Sequence, residues 1–373
     1  MLTKLQLRRA WFQVHKWIGL ILAALIIPLS LSGALLVWDR PLDHVLNPAR
    51  YAVSGAALQP PHAYVDAARR VLPAGDPIAS ITFAEGRGPV VVQAVAPGAG
   101  RRAGPPLRLS VWLDPPTARV LAVGNNRSGA LRVIHMLHGS LLLPGVGRTL
   151  VGWIGVAMML SCLTGLWLWW PTVGRWTRGL RWRRHRNLET NLHHLIGFWI
   201  ALPLFVLSLT GAWIAFPGVF GGGRAPGRPA ARSSVLPIAA PLTSPDAVLA
   251  AVRRAGVERV GTIAWPASDG APQWTIAAGR RTLTLNDGDG TIASAPTRPH
   301  GGTGLAGTMR RIHDGDSMGP VWQAIIFLAG IAPAALAVTG IIMWWRARRW
   351  RAALARQNSG GGQFEGAGPA MGR

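Results

Sequence analysis

Four of the ten histidines fall into two offset pairs. A shift of 178 residues lays His15 on His193, and each opens an apolar run. A shift of 175 lays His138 on His313, and each stands shortly before another apolar run. An imidazole at the mouth of an apolar helix has an ordinary explanation as an interfacial group bonded to headgroups or backbone. Two matched pairs are harder to explain that way, because ionisable side chains in or near a membrane are candidates for function by default.

Metal ligation is the chemistry that fits. Two histidines without companion thiolates or carboxylates leave a tetrahedral zinc site short of donors. A planar macrocycle brings its own equatorial donors and needs two axial ones, so a bis-histidine haem suits each pair. The sequence has no CxxCH attachment motif and its one cysteine, Cys162, lies in an apolar run, so two non-covalent b-type haems are expected. His15, His193, His138 and His313 are the expected axial ligands. His194, whose offset partner is Lys16, and His135, three residues before His138, are alternates or partners of a haem propionate. His44, His62, His185 and His300 have no matched partner and are expected to be solvated. Gly19, Gly33, Gly197 and Gly211, near the ligands in sequence, would leave room for a porphyrin between helices, or serve ordinary small-residue packing.

The elements that must carry these histidines are membrane helices. The chain of 373 residues is 49% hydrophobic and only 14% charged, against about 25% charged in a soluble protein. Eighteen tryptophans against two tyrosines suggest an interfacial belt. Crossing about 30 Å of hydrocarbon takes about 20 apolar residues. Four runs suffice: Trp17 to Trp38, Leu150 to Trp170, Leu195 to Phe216 and Val321 to Trp345. The first is too long for a signal-peptide core and has no small-residue cleavage site after it. The net charge of +24 raises the question of nucleic acid. The apolar runs answer it: basic residues flank membrane helices for topological reasons, and no nucleic-acid partner is expected.

Those flanks set direction. Lys4, Arg8 and Arg9 precede the first run, "RWTRGLRWRRHR" joins the second to the third, and "RARRWRAALAR" follows the fourth. Putting all three on the cytoplasmic side satisfies the positive-inside rule, with both termini cytoplasmic and Arg181, Arg183 and Arg184 facing anionic membrane lipids. The division is then 1–39 (cytoplasmic start and first helix), 40–147 (first outer segment), 148–171 (second helix), 172–192 (basic loop), 193–216 (third helix), 217–319 (second outer segment), 320–346 (fourth helix) and 347–373 (a disordered cytoplasmic tail). The offsets that pair the histidines also lay "SGA" on "TGA" and "TGLWLWW" on "TGIIMWW". The expected fold is therefore a four-helix membrane bundle with an internal two-fold repeat and its axis along the membrane normal. "HAYVDAARRVLP" and "PDAVLAAVRRAG" read as amphipathic helices. "LRLSVWLDPPTARVLAV" and "RTLTLNDGDGTIAS" read as paired strands about a turn. Each outer segment is thus a small α+β module.

The motifs "VHKWIGL…SLSGALLVWD", "LHGSLLLPGVGRTLVGWIGV…TGLWLWWP", "LHHLIGFW…LSLTGAW" and "IHDGDSMGP…TGIIMWW" resemble those of the PepSY-associated transmembrane proteins, across about residues 8–350. That family includes bacterial inner-membrane ferric-siderophore reductases. The resemblance implies a four-helix, two-haem membrane oxidoreductase with periplasmic PepSY-like modules, which passes electrons outward to a ferric siderophore or another periplasmic acceptor. It carries the ligand roles onto His15, His193, His138 and His313. No cytoplasmic segment is large enough to bind NADPH or flavin, and "GGTGLAG" at 301–307 reads as an outer flexible loop without a βαβ unit. The donor is then a separate cytoplasmic reductase, reduced flavin or membrane quinol. Arg132, Arg310 and Arg311 stand near the outer ligands and are candidates to hold an acidic siderophore or a propionate. Two other classes stay open: a PepSY-type regulatory or binding membrane protein acting on a periplasmic partner or peptidase, and an iron-siderophore transporter. No Asp or Glu lies in the four runs, where a proton-coupled carrier would place one.

Overall fold

The computed structural model describes residues 3–83, 86–96, 107–170, 175–177, 185–219, 236–267, 272–279, 281–295 and 304–361. Its elements run α1 (Lys4–Leu36), α2 (Asp39–Leu46), a 3-10 turn (Pro48–Tyr51), α3 (Pro61–Arg69), β1 (Ile78–Thr82), β2 (Val90–Val95), β3 (Arg108–Leu113), β4 (Val120–Asn125), α4 (Ala130–Ser140) and α5 (Gly147–Trp169). Then come α6 (Leu188–Ala215), α7 (Pro245–Arg254), β5 (Thr262–Ala264), β6 (Gln273–Ala278), β7 (Arg281–Asn286), β8 (Ile292–Ala295), α8 (Gly304–Asp314) and α9 (Pro320–Gly361). The chain forms two units. One comprises Met1–Val37, His135–Gly222 and Thr308–Arg373, the other Trp38–Ile134 and Gly223–Gly307.

In the helical unit, α1, α5, α6 and α9 are each long and apolar enough to cross a membrane. As α-helices they satisfy their backbone groups through their own hydrogen bonds, as a bilayer requires. Thr3 starts α1 with a capping box: its side chain accepts from the Gln6 amide, and the Gln6 side chain accepts from the Thr3 amide. The helices close a ring in the order α1–α5–α6–α9, which puts α1 diagonally across from α6. Small residues set the approach of neighbours: a Cβ on Gly330 of α9 would come within 2.8 Å of Ala34 Cβ on α1. Arginines close two helix ends. Arg8 donates to the carbonyls of Leu168 (2.5 Å) and Trp170 (3.2 Å) at the end of α5, and Arg148 donates to Ile214 (2.5 Å) at the end of α6. Carbonyls at a helix C-terminus carry partial negative charge, which favours a cation there. Trp17, Trp153, Trp167, Trp199 and Trp345 point outward from the bundle.

Two stretches depart from the expectations above. The tail expected to be disordered from residue 347 continues α9 as far as Gly361. Ala352, Ala353, Leu354 and the flanking arginines are strong helix formers on a helix already nucleated. The segment "GGTGLAG" is not all loop, since Gly304 opens α8; residues 301–303 lie outside the described residues. Arg181, Arg183, Arg184 and His300 also lie outside them.

The second unit differs from two separate modules. Its strands form one eight-stranded antiparallel sheet in the order β4-β3-β2-β1-β5-β6-β7-β8. The halves meet where β1 pairs with β5, and Ile81 lies opposite Ile263 with both fully buried. Each half alone would leave an open edge of unpaired backbone groups, and the β1–β5 pairing removes one from each. The stretches expected to be amphipathic helices are α3 and α7, which bury Tyr64, Ala68, Val248 and Val252 in the core with Trp274.

Two aspartates tie this unit together. Asp114 is 1% exposed and accepts from the Ser54 amide (2.7 Å), the Ser54 hydroxyl (2.7 Å) and the Thr117 hydroxyl (2.5 Å). Asp287 is 3% exposed and accepts from the amides of Leu242 (2.8 Å) and Thr243 (2.9 Å) and from Trp274 Nε1 (2.8 Å). Burial pushes both carboxyls up, but these hydrogen bonds outweigh it and hold both below the usual carboxylate range. A carboxyl with a depressed folded value contributes stability above its unfolded value of about 4 and loses it as pH falls through the folded one. Thermal melts should therefore fall steeply below about pH 4. Asp114→Asn and Asp287→Asn should each cost about 1–3 kcal/mol at neutral pH and flatten that acid limb. An unchanged acid limb in both variants would exclude these carboxylates as its cause.

Candidate functional site

The four offset-matched histidines all lie in the helical unit, and each rests on a hydroxyl–glycine dipeptide of a neighbouring helix. His15 of α1 stands on Thr164–Gly165 of α5, with Nδ1 3.0 Å from Thr164 Oγ1. His193 of α6 stands on Thr339–Gly340 of α9, with Nδ1 2.9 Å from Thr339 Oγ1. His138 of α4 stands on Ser32–Gly33 of α1, and its Nδ1 lies 2.9 Å from the Leu29 carbonyl. His313 of α8 stands on Thr210–Gly211 of α6, with Nδ1 3.1 Å from both the Leu207 carbonyl and Thr210 Oγ1. The glycines give the rings their place. A Cβ would meet the ring carbon Cε1 at 2.6 Å on Gly33, 3.0 Å on Gly211, 3.1 Å on Gly165 and 3.6 Å on Gly340.

The hydroxyls decide the tautomer. Thr164, Thr210 and Thr339 each donate to the carbonyl four residues back, Leu160 (2.8 Å), Val206 (2.9 Å) and Ala335 (2.8 Å). With its proton committed there, each threonine oxygen faces histidine as an acceptor. The carbonyls of Leu29 and Leu207 can only accept. All four rings therefore carry their proton on Nδ1, and Nε2 presents the lone pair a metal would take.

The histidines meet in twos. The ring centroids of His15 and His193 are 6.3 Å apart with planes at 88°, and those of His138 and His313 are 6.0 Å apart with planes at 29°. An imidazole nitrogen binds a metal at about 2 Å and the ring centroid lies about 1 Å beyond, so two rings on opposite sides of one ion stand about 6 Å apart. Both pairs match that spacing across the α1/α6 diagonal. Leu29 and Leu207 lie fourteen residues along α1 and α6 from His15 and His193, which at 1.5 Å per residue separates the two pairs by about 21 Å along the helices. Among the described residues no group of three or more His, Cys, Asp or Glu could hold a metal ion. Two donors per pair suit a macrocycle with equatorial donors of its own better than a bare ion.

The other candidates sit elsewhere. His194 lies beside His185, with ring centroids 4.7 Å apart, and 6.5 Å from His193. His185 is half-buried rather than solvated, and its amide and carbonyl are both bonded to the Asn191 side chain at 2.8 Å. His135 and Arg132 are exposed on α4. Arg310 and Arg311 are exposed on α8, and Arg310 pairs with Asp314 one turn on, at 3.6 Å. Exposed His62 pairs with Asp246 (3.1 Å), and His44 lies against Tyr51. Of the glycines expected to make room, Gly33 and Gly211 are seats, whereas Gly19 has no neighbour within 4 Å of a Cβ and Gly197 meets only Leu336, at 3.8 Å. Gly165, Gly340 and the four hydroxyls are site residues that sequence reasoning missed, although the matched "TGLWLWW" and "TGIIMWW" contained the signal.

A family model described as the PepSY-associated TM region matches residues 12–347. The chain belongs to that family. All four histidine seats of this PepSY-associated membrane protein lie inside the matched region. A curated relative, an uncharacterized protein of Pseudomonas aeruginosa, is 41% identical over 86 residues, covering 22% of this chain and 21% of the relative. The match thus spans about a fifth of each protein.

Proposed function

We propose that this PepSY-associated protein is a two-haem electron conductor that reduces a ferric chelate, most simply a ferric siderophore, on the periplasmic face of a bacterial inner membrane. The observation that carries the reading is the pair of facing histidine couples, each at the spacing of two axial ligands, at opposite ends of one helix diagonal. His15 and His193 would hold the inner haem, His138 and His313 the outer one. Bound b-type haem supplies one-electron iron chemistry that no amino-acid side chain offers at these positions.

The residues of the chain do the rest. The threonine hydroxyls, and the Leu29 and Leu207 carbonyls, hold the rings in the Nδ1–H tautomer and keep Nε2 unprotonated for ligation. The recurrence of the seat at offsets of 175 and 178 supports an internal two-fold repeat. The positive-inside pattern supports cytoplasmic termini, with which His15 and His193 would lie on the donor side. Outward electron flow then runs with the field of an energised membrane, about 2.3 kcal/mol per charge at 100 mV. Arg132, Arg310 and Arg311 would attract an acidic chelate or a propionate at the outer end. The sheet unit would be a PepSY-like periplasmic region. A cytoplasmic reductase, reduced flavin or quinol would supply the electrons.

Proteoliposomes holding an enclosed reductant test this reading. With a ferric siderophore and a ferrous-iron trap outside, ferrous complex should accumulate only when the protein is present. Reoxidation of the prereduced protein by a periplasmic redox protein, but by no ferric complex, would replace iron reduction with electron supply to a partner.

A further inference from the structure

Helix α9 is longer than a membrane needs. At 1.5 Å per residue its 42 residues span about 63 Å, whereas a bilayer with its headgroups is about 40–45 Å thick. Even at a tilt of 40°, the upper end of the usual range, about 48 Å lies along the membrane normal. Leu354 stands about 14 Å past Trp345, where the apolar run ends, and a headgroup layer is only about 5–8 Å deep. Every residue from Trp345 to Gln357 is exposed. This arm carries Arg346, Arg348, Arg349, Arg351 and Arg356, and α9 contains no Asp or Glu. Arg346 pairs with Glu189 of α6, which ties the base of the arm to the bundle. Arg348 and Arg349 lie over the rings of Trp344 and Trp345, 5.5 and 5.4 Å from the centroids. Ala347, Trp350 and Leu354 recur at three- and four-residue spacing and so share one face. Trp350 is 66% exposed and Leu354 38%. Membrane topology accounts for positive charge at this end. It does not account for an apolar stripe that runs on beyond the headgroups.

We propose that this arm docks an acidic protein that carries single electrons, with Trp350 and Leu354 as the apolar anchor and the arginines as the charged rim. The proposal rests on the haem reading above, and it selects a protein donor over free reduced flavin or quinol. Charge of one sign attracts an acidic surface and raises the encounter rate. Tryptophan and arginine are the side chains that most often carry binding energy between proteins. Trp350 is about 15 Å along α9 from Gly340, the seat of His193, so a docked carrier sits at the end of the bundle where His15 and His193 meet. Headgroups do not reach Leu354, and a quinol dissolved in hydrocarbon has no use for an arm outside it.

The probe is a purified acidic flavodoxin in its hydroquinone form, offered to the holoprotein in nanodiscs of neutral lipid. On transfer the anionic hydroquinone loses one electron and becomes the neutral semiquinone, and one ferric haem becomes ferrous. Flavodoxin binding and the bimolecular rate of haem reduction should both fall steeply as salt is raised. The double variant W350A/L354A keeps every charge. It should weaken binding about tenfold or more and slow haem reduction to match, while reduction by dithionite keeps its wild-type rate. R351E should act in the same direction through charge. Wild-type protein that does not bind flavodoxin overturns the proposal, and so does unchanged binding in W350A/L354A. Binding lost with the reduction rate unchanged overturns the donor role, because electrons would then enter elsewhere. A nitroxide on L354C that meets oxygen dissolved in lipid and not an aqueous nickel chelate overturns docking too, because the arm would lie in the bilayer. Binding through the arm by wild-type protein that holds no haem would defeat the haem reading and support the docking surface alone.

Discussion

Replacing Gly33 with valine should strip the protein of its outer haem and leave the inner one in place. Even one Cβ there would lie 2.6 Å from His138 Cε1 and 3.0 Å from its Nδ1. The ring cannot simply retreat, because Nδ1 is tied to the Leu29 carbonyl of the same helix at 2.9 Å. Overpacking a tight contact costs about 1–3 kcal/mol, and here the cheapest relief is to swing the imidazole away from its partner. Gly211→Val should do the same through His313, whose Cε1 would be 3.0 Å from the new carbon. Gly340→Ala should be tolerated, since 3.6 Å is ordinary contact, and Gly19→Ala should be silent, with nothing within 4 Å. The readout is the haem-to-protein absorbance ratio of detergent-purified protein, which should fall to about half in Gly33→Val if each couple holds one haem. A full complement of low-spin haem in Gly33→Val would mean that the ring does not ligate from this seat.

Single histidine substitutions should sort into two classes. His15→Ala and His193→Ala should remove the same haem, or convert it to a high-spin form with one protein ligand, and His138→Ala and His313→Ala should do so to the other. The two members of a couple act as a unit, so His15→Ala combined with His193→Ala should cost little more haem than either alone, whereas His15→Ala with His138→Ala should cost both. His194→Ala should keep both haems, because its ring lies against His185 rather than across the bundle from His15. His135→Ala should keep both as well, since that side chain is exposed on α4. Loss of a low-spin signal in His194→Ala with the signal intact in His193→Ala would move the inner ligand by one residue.

Much of this arrangement was legible because hydropathy and offset act through short-range pattern. The apolar runs fall on α1, α5, α6 and α9 to within two residues at their ends, and the same shifts that matched the histidines matched the dipeptides on which they rest. The seats themselves were not legible. Gly19 is four residues from His15 on one helix, a spacing that looked suggestive, yet the glycine under His15 is Gly165 on α5. Which helix lies beside which is a tertiary fact. The union of the two strand sets is not legible for the same reason: β1 and β5 are about 180 residues apart, and each half satisfies its own alternation without revealing its partner. The extension of α9 was masked by the glycines that follow Gln357, although the residues before them favour helix.

Haem content per chain is the measurement that bears most directly on the central claim. A pyridine haemochrome assay on protein purified in mild detergent, set against quantitative amino-acid analysis, should give two non-covalent b-type haems per polypeptide. One haem would leave a single couple functional and remove the path across the membrane. None, in protein whose four membrane helices are folded, would contradict the account, and the four histidine seats would then be hydrogen-bonded packing contacts.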